Sequence, residues 1–399
     1  MSRAEIFVMF GYNLPMTKFR QFFQLDPDIH FLNHGSFGAC PIPVFETYQN
    51  WQRRLERQPV LFLGREHDSL LKESRAALGM FFNADPDNLV YIPNATHSVN
   101  IIARSLHLQS GEEILTTDHE YGACDFTWQF ICDKTDAQYI RQSILLPVRD
   151  ESEIVEQFWS GVTERTRVIY LSHITSPTAL RLPVEDICQR ARQRGILTLI
   201  DGAHAPGQIQ LDLSALDADF YTGNCHKWMM APKGAAFLYA RRDVQELIEP
   251  LVVSWGYGGA PGFGTGSRYL DLLQWTGTHD PSAYLTVPAA IDFMRAHDWD
   301  SVRRDCHLLL AEALTDLYDL TGLEPPYPPD ADFYVQMAIT PLPSYADLPR
   351  WKARLYDEFK VEIPLIEWNG RKYARISIQA YNTRADVEAL LAGLASLQE

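Results

Sequence analysis

From about residue 88 to 240, short apolar runs alternate with stretches of helical period, and this alternation constrains the fold more than any other feature of the chain. The runs at Leu89 to Ile92, Glu113 to Thr116, Arg167 to Ser172, Ile196 to Asp201, Asp219 to Thr222 and Ala235 to Ala240 read as buried strands. Between two of them, Val184 to Arg194 sets Val184, Ile187, Cys188 and Ala191 on one helical face. Buried strands alternating with helices predict an α/β fold with a mostly parallel sheet covered on both sides. In such sheets ligands gather at the carboxyl ends of the strands. A helix is expected from Ser282 to His297. Beyond it, helices at Ser301 to Leu320 and Arg384 to Gln398 mix with strands at Phe333 to Ile339 and Tyr373 to Gln379. The predicted organisation is an N-terminal segment 1–32 packed on a small α+β domain 283–399, with a large domain 33–282 carrying the sheet.

The chain has 399 residues, 46% of them apolar, enough for a large core, and a formal net charge of −16. That charge argues against nucleic acid and anionic membrane surfaces as partners. Six cysteines, at 40, 124, 132, 188, 225 and 306, form no Cys-x-x-Cys pair, which reads as reduced thiols in a cytoplasmic protein. Met1 to Met16 holds an apolar patch, Ile6 to Phe10, without the form of a signal peptide, and Met16 is a second candidate start. No apolar run reaches the roughly 18 residues of a spanning helix.

The chemistry concentrates at strand ends. Asn224-Cys225-His226-Lys227-Trp228 puts a lysine in a tight apolar turn after a strand, and burial favours the neutral, nucleophilic amine. Asp201 ends another apolar run 26 residues upstream. A lysine that forms a Schiff base, with a carboxylate to hold a pyridinium nitrogen, is the minimal protein equipment for pyridoxal phosphate chemistry. His204, one turn after Asp201, reads equally as part of this site or as a satisfied helix histidine. Asn94-Ala95-Thr96-His97-Ser98 opens an amphipathic helix whose free amides suit an anion. In Asp118-His119-Glu120-Tyr121-Gly122 the pair His-Glu suggests a zinc-protease helix, but position 123 is Ala, so no metal is expected. Tyr121 is a candidate to lie on a planar ring. The loop 254–266 is rich in glycine and aromatics and is expected to act as a lid. Its Gly262-Phe263-Gly264-Thr265-Gly266 does not clearly follow a strand, which weakens a dinucleotide reading. Arg375 lies on a predicted strand and offers a bidentate fork to a carboxylate.

These residues resemble the class V aminotransferase family of pyridoxal-phosphate enzymes with the type I fold. Three segments, residues 31–41 (Phe-Leu-Asn-His-Gly-Ser-Phe-Gly-Ala-Cys-Pro), 117–123 (Thr-Asp-His-Glu-Tyr-Gly-Ala) and 223–228 (Gly-Asn-Cys-His-Lys-Trp), are most similar to its isopenicillin N epimerase-like branch. The resemblance runs from about Phe31 to the C-terminus. It implies a seven-stranded sheet in the large domain and a homodimer with shared active sites. It also implies roles. Lys227 anchors the cofactor and moves protons at Cα, and Asp201 binds the pyridine nitrogen. Tyr121 stacks on the ring, and Ser176 lies near its hydroxyl. Ala95, Thr96, Asn224 and His226 hold the phosphate, and Gly277 and Thr278 reach the phosphate of the neighbouring subunit. Arg375 takes the substrate carboxylate. Asn33, His34, Gly35 and Tyr257 shape the substrate pocket, and His34, His204 and Tyr257 are candidates for a second acid. Cysteine desulfurases of the family carry a nucleophilic cysteine shortly before the arginine; here Val361 to Lys372 contains none. The implied activity is epimerisation at Cα of an amino acid or small peptide. A C–S lyase is the runner-up and an aminotransferase the third. Outside this chemistry stand a non-catalytic binding protein of the same fold and a dehydrogenase.

Overall fold

All six apolar runs form strands, and a seventh strand joins them at one edge. The computed structural model describes residues 17–259, 264–329 and 332–398. After β1 (His30–Phe31), the chain builds β2 (Leu89–Ile92), β3 (Glu113–Thr117), β4 (Gln138–Gln142), β5 (Thr166–Ser172), β6 (Leu197–Gly202), β7 (Phe220–Asn224) and β8 (Ala236–Ala240). The last seven make one sheet in the order β2-β8-β7-β6-β5-β3-β4. Neighbours from β7 to β4 pair in parallel, whereas β8 runs antiparallel between β7 and β2. This is the expected mostly parallel seven-stranded α/β sheet. β4 was absent from the expected strands because it is an edge strand in which only Tyr139 and Ile140 are apolar, too short a run to stand out.

Alternation along the strands feeds two cores, one on each face. Val168, Tyr170 and Leu199 face one core, into which α1 (Ala95–Ser105) and α2 (Gly122–Thr135) pack Val99, Ile102, Trp128 and Ile131. Ile169, Leu171 and Ile200 face the other, where α3 (Val184–Gln193) packs the apolar stripe read from its sequence.

A second, three-stranded antiparallel sheet is formed by β9 (Met337–Leu342), β11 (Leu365–Trp368) and β12 (Arg371–Ser377), in the order β11-β12-β9. α4 (Trp299–Thr321), α5 (Leu348–Phe359) and α6 (Arg384–Gln398) pack around it. β10 (Val361–Glu362) pairs in parallel with β1, tying residues 30–31 to this unit. The strand expected at 333–339 starts later, at Met337, because Tyr334 stacks on Tyr327 at 5.3 Å and Phe333 is buried, so that apolar run marks packing rather than a ladder. The helix expected at 282–297 is two pieces, Ser282–Leu285 and Val287–Ala296, with Pro288 in the first turn of the second. Residues 1–16, with the alternative start, and residues 260–263 of the expected lid lie outside the described residues.

Candidate active site

The carboxyl ends of five strands converge on one cavity of about 420 Å³. β2 leads to Asn94, Ala95 and Thr96, and β3 to Tyr121. β5 leads to Ser172, Ile174 and Ser176, β6 to Asp201, Ala203 and His204, and β7 to Asn224, His226 and Lys227. Gly35, Ser36, Phe37 and Arg375 of β12 complete the wall.

Lys227 sits in the reversal between β7 and β8. Bonds from Ala231 N to Cys225 O and from His226 N to Ala235 O, both 3.0 Å, close this turn. Gly38, at φ +70°, backs against it, so closely that a Cβ would meet His226 O at 2.2 Å. The amine nitrogen of Lys227 is 3.0 Å from His204 Nε2. Burial, and then the charge of Arg375, push its pKa down to about 8 against the opposing pull of Asp201.

Asp201 is buried at the end of β6. Its Oδ1 accepts from Ala203 N at 2.9 Å, and its Oδ2 from the Tyr170 hydroxyl at 3.2 Å and Cys124 Sγ at 3.8 Å. Burial raises the carboxyl's pKa, so the ionised form calls for a cation beside it. A pyridinium nitrogen is such a group.

Arg375 is 5% exposed, and among the described residues it makes no ion pair. Its guanidinium donates to Ser176 O at 2.5 Å, Ser176 Oγ at 3.2 Å and Ser36 Oγ at 3.2 Å, and its Nε is buried without a partner. Burial lowers its pKa to about 10. A buried guanidinium met only by neutral oxygens is a receptor for a carboxylate.

The opposite end suits a phosphate. Asn94 Oδ1 caps α1 at His97 N, and Asn224 Oδ1 accepts from Ala95 N, both at 2.9 Å. His226 Nδ1 donates to Ala235 O at 2.9 Å. The Ala95 amide is thus already engaged by Asn224, which leaves Thr96 and Asn224 Nδ2 as donors available to an anion; His226 Nε2, bare in the neutral ring, joins them only when an anion brings a second proton to the imidazole, whose pKa burial lowers to about 4. With the lysine and Asp201, this donor set fits pyridoxal phosphate.

Several residues expected at the site lie elsewhere. His34 is fully buried behind the wall. Its Nε2 donates to Lys227 O at 3.1 Å and its Nδ1 accepts from the Tyr381 hydroxyl at 2.9 Å, so it braces the lysine's backbone and does not line the cavity. Asn33 is turned away into bonds with Glu362 and Ser36. Tyr257 is 69% exposed on the turn Trp255–Gly258 and does not line the cavity. Gly277 and Thr278, expected to reach the phosphate of a neighbouring subunit, do not line this chain's own cavity. Gly35, Tyr121, Ser176 and His204 do line it, together with the lysine, aspartate and arginine.

Ser36, Phe37, Ser172, Ile174 and Ala203 line the cavity without having been expected there. Ser172 and Ile174 were findable, since they stand at the carboxyl end of a strand. Behind them Glu120 is fully enclosed, accepting from Ser172 N at 2.9 Å, Ser172 Oγ at 2.6 Å and Thr117 Oγ1 at 2.6 Å. Burial pushes its carboxyl up to about 8.

Known proteins similar to this chain share one family and fold. The family model for aminotransferase class-V matches residues 43–333. An isopenicillin N epimerase of Amycolatopsis lactamdurans is 35% identical, over 95% of this chain and 98% of its own. A probable chloroplastic L-cysteine desulfhydrase of Arabidopsis thaliana is 29% identical, over 93% of this chain and 83% of its own. Among solved structures, a lysine mutant of C-DES with glycine covalently linked to its PLP cofactor superposes with a TM-score of 0.80 at 22% identity, covering 95% of this chain and 99% of that one.

Proposed function

The chain belongs to the class-V aminotransferase family of pyridoxal-phosphate enzymes, and we propose that its reaction is epimerisation at Cα of an amino acid or of an amino-acid group in a small peptide, as in the isopenicillin N epimerase it resembles. The observation that carries this reading is the pairing, in one cavity, of Lys227, its pKa lowered to about 8, with a buried Arg375 that has no carboxylate partner among the described residues. Pyridoxal phosphate, when bound, supplies an electron sink that acidifies the Cα–H of an amine joined to it. The protein's part is to hold and to move protons. Asp201 holds the pyridine nitrogen, Tyr121 covers the ring and Ser176 lies near the ring hydroxyl. Thr96, Asn224 and His226 hold the phosphate. Arg375 grips the substrate carboxylate and so fixes which bond at Cα faces Lys227. Lys227 takes the Cα proton, and His204 orients its amine.

We read the active enzyme as a cytoplasmic homodimer. Support for this reading is that Gly277 and Thr278 do not line their own chain's cavity, and that Val252, Val253 and Tyr257 are exposed. Among the described residues no helix is long and apolar enough to cross a membrane.

Similarity to a cysteine desulfhydrase favours one second reading, β-elimination from a cysteine derivative. One assay separates the two. The enzyme is incubated in deuterated water with isopenicillin N, and separately with L-cysteine. Inversion with deuterium at Cα and no pyruvate supports the epimerase; pyruvate from cysteine without inversion of either compound overturns it.

A further inference from the structure

Inverting a carbon by proton transfer takes two groups, one on each face. Lys227 supplies one. The order of the strands shows where the other must stand. Lys227 follows β7, Asp201 ends β6, and Tyr121 follows β3, with β5 between β6 and β3. With strands about 4.8 Å apart, Asp201 lies between the other two. Lys227 and Tyr121 therefore enter the cavity from strands on opposite sides of the one that carries Asp201.

The other titratable groups of the site do not face that second side. His204 has Nε2 at Lys227 Nζ and accepts from Trp228 Nε1 through Nδ1 at 3.3 Å, so both nitrogens are spent on the lysine's side. His226 belongs to the same reversal as Lys227 and is tied to Ala235. His34 is sealed behind the lysine's backbone. Tyr121 remains. It lines the cavity, is 48% exposed, and its hydroxyl makes no hydrogen bond among the described residues. Its backbone is held at the start of α2 by bonds from Cys124 N and Asp125 N to its carbonyl, at 2.8 and 3.1 Å. Tyr121 and Arg375 line the same cavity, so the phenol shares it with the guanidinium that would take the substrate carboxylate bonded to Cα.

We infer that Tyr121 is the second proton-transfer residue, delivering its hydroxyl proton to the face of Cα opposite the one from which Lys227 removes a proton. One C–H bond breaks and one forms. The proton taken ends on the lysine amine, the phenolate carries the balancing charge, and exchange with solvent restores both. In the reverse direction the two groups trade roles. This inference rests on the epimerase reading.

Tyr121→Phe tests it, since the ring is kept and only the hydroxyl is lost. Wild type and variant are loaded with pyridoxal phosphate and given isopenicillin N in deuterated water. Deuterium at Cα and configuration are followed separately, and the visible spectrum of the bound cofactor is recorded. The variant is expected to keep the spectrum and to incorporate deuterium with retained configuration, while inversion falls about 100-fold or more. Inversion by the variant at the wild-type rate overturns the inference. Equal loss of exchange, inversion and the cofactor band overturns it as well, leaving Tyr121 a purely structural part. A wild-type enzyme that never inverts overturns the epimerase reading itself, which is a separate result.

Discussion

The amine of Lys227 lies 3.0 Å from His204 Nε2, while the indole of Trp228 closes the other nitrogen of the same imidazole at 3.3 Å. An indole N–H only donates, so Nδ1 must accept. The proton of a neutral imidazole then sits on Nε2 and points at Nζ, which can receive it only with a free lone pair. Burial holds His204 well below the usual imidazole range, so the neutral form prevails. The pair thus selects a neutral lysine, as a nucleophile requires.

Covalent uptake of pyridoxal phosphate by the cofactor-free protein should follow that amine. Its pKa is depressed to about 8 from an ordinary 10.5, so uptake is expected to rise with pH through about 8 and to level off above it. Arg375 is the second cause of the depression. In Arg375→Gln the midpoint should therefore move up toward the ordinary lysine value. Stopped-flow absorbance across pH 6.5 to 10 measures both midpoints.

Arg375→Lys keeps a charge but loses the planar fork. We expect KM for a substrate with a free α-carboxylate to rise about 10- to 100-fold, the range of a lost charge-assisted bond, with the cofactor absorbance unchanged. Steady-state kinetics beside a spectrum of the resting enzyme separates this from a general loss of structure.

Gly38 packs directly against the turn that carries the lysine. Its φ of +70° disfavours any side chain, and a Cβ would lie 2.2 Å from His226 O and 3.0 Å from Lys227 Cα. Gly38→Ala should cost about 1–3 kcal/mol in stability and slow cofactor uptake, as read by urea unfolding and by absorbance.

What the sequence made legible was what lies at strand ends. Lys227, Asp201, His226 and Asn224 follow apolar runs directly, and strand position alone aims them at one cavity. The turn at Asn33 to Phe37 was not legible in this way. It belongs to no long element, so the side chains that face the site are chosen by distant neighbours. Met337 and Ser377 crowd Gly35, Tyr381 captures His34, and Glu362 captures Asn33. Ser36 and Phe37 line the wall beside Gly35, where His34 and Asn33 were expected. β4 was missed for a different reason, since this edge strand holds only two apolar residues, Tyr139 and Ile140, between polar ones. Tyr257 was chosen for its aromatic ring, yet it faces outward.

Glu120 gives a pH dependence of opposite form. Its folded pKa is raised to about 8 from 4.5, so between these values the folded protein binds a proton that the unfolded chain has lost. Its contribution is fully present below about 4.5 and is lost as pH rises through about 8. Glu120→Gln keeps an acceptor for Ser172 and removes the titration. The variant is expected to match the wild type near pH 5 and to exceed it in thermal stability near pH 9. Calorimetry at the two pH values checks the crossing.

The central claim is that Lys227 carries pyridoxal phosphate in this cavity. Borohydride reduction of the yellow protein, followed by mass mapping of its peptides, tests it most directly. The account predicts a visible absorption band that reduction abolishes, with the cofactor fixed to the peptide containing Lys227 and to none in Lys227→Ala. A colourless protein that cannot be reconstituted, or a label on another lysine, would contradict it.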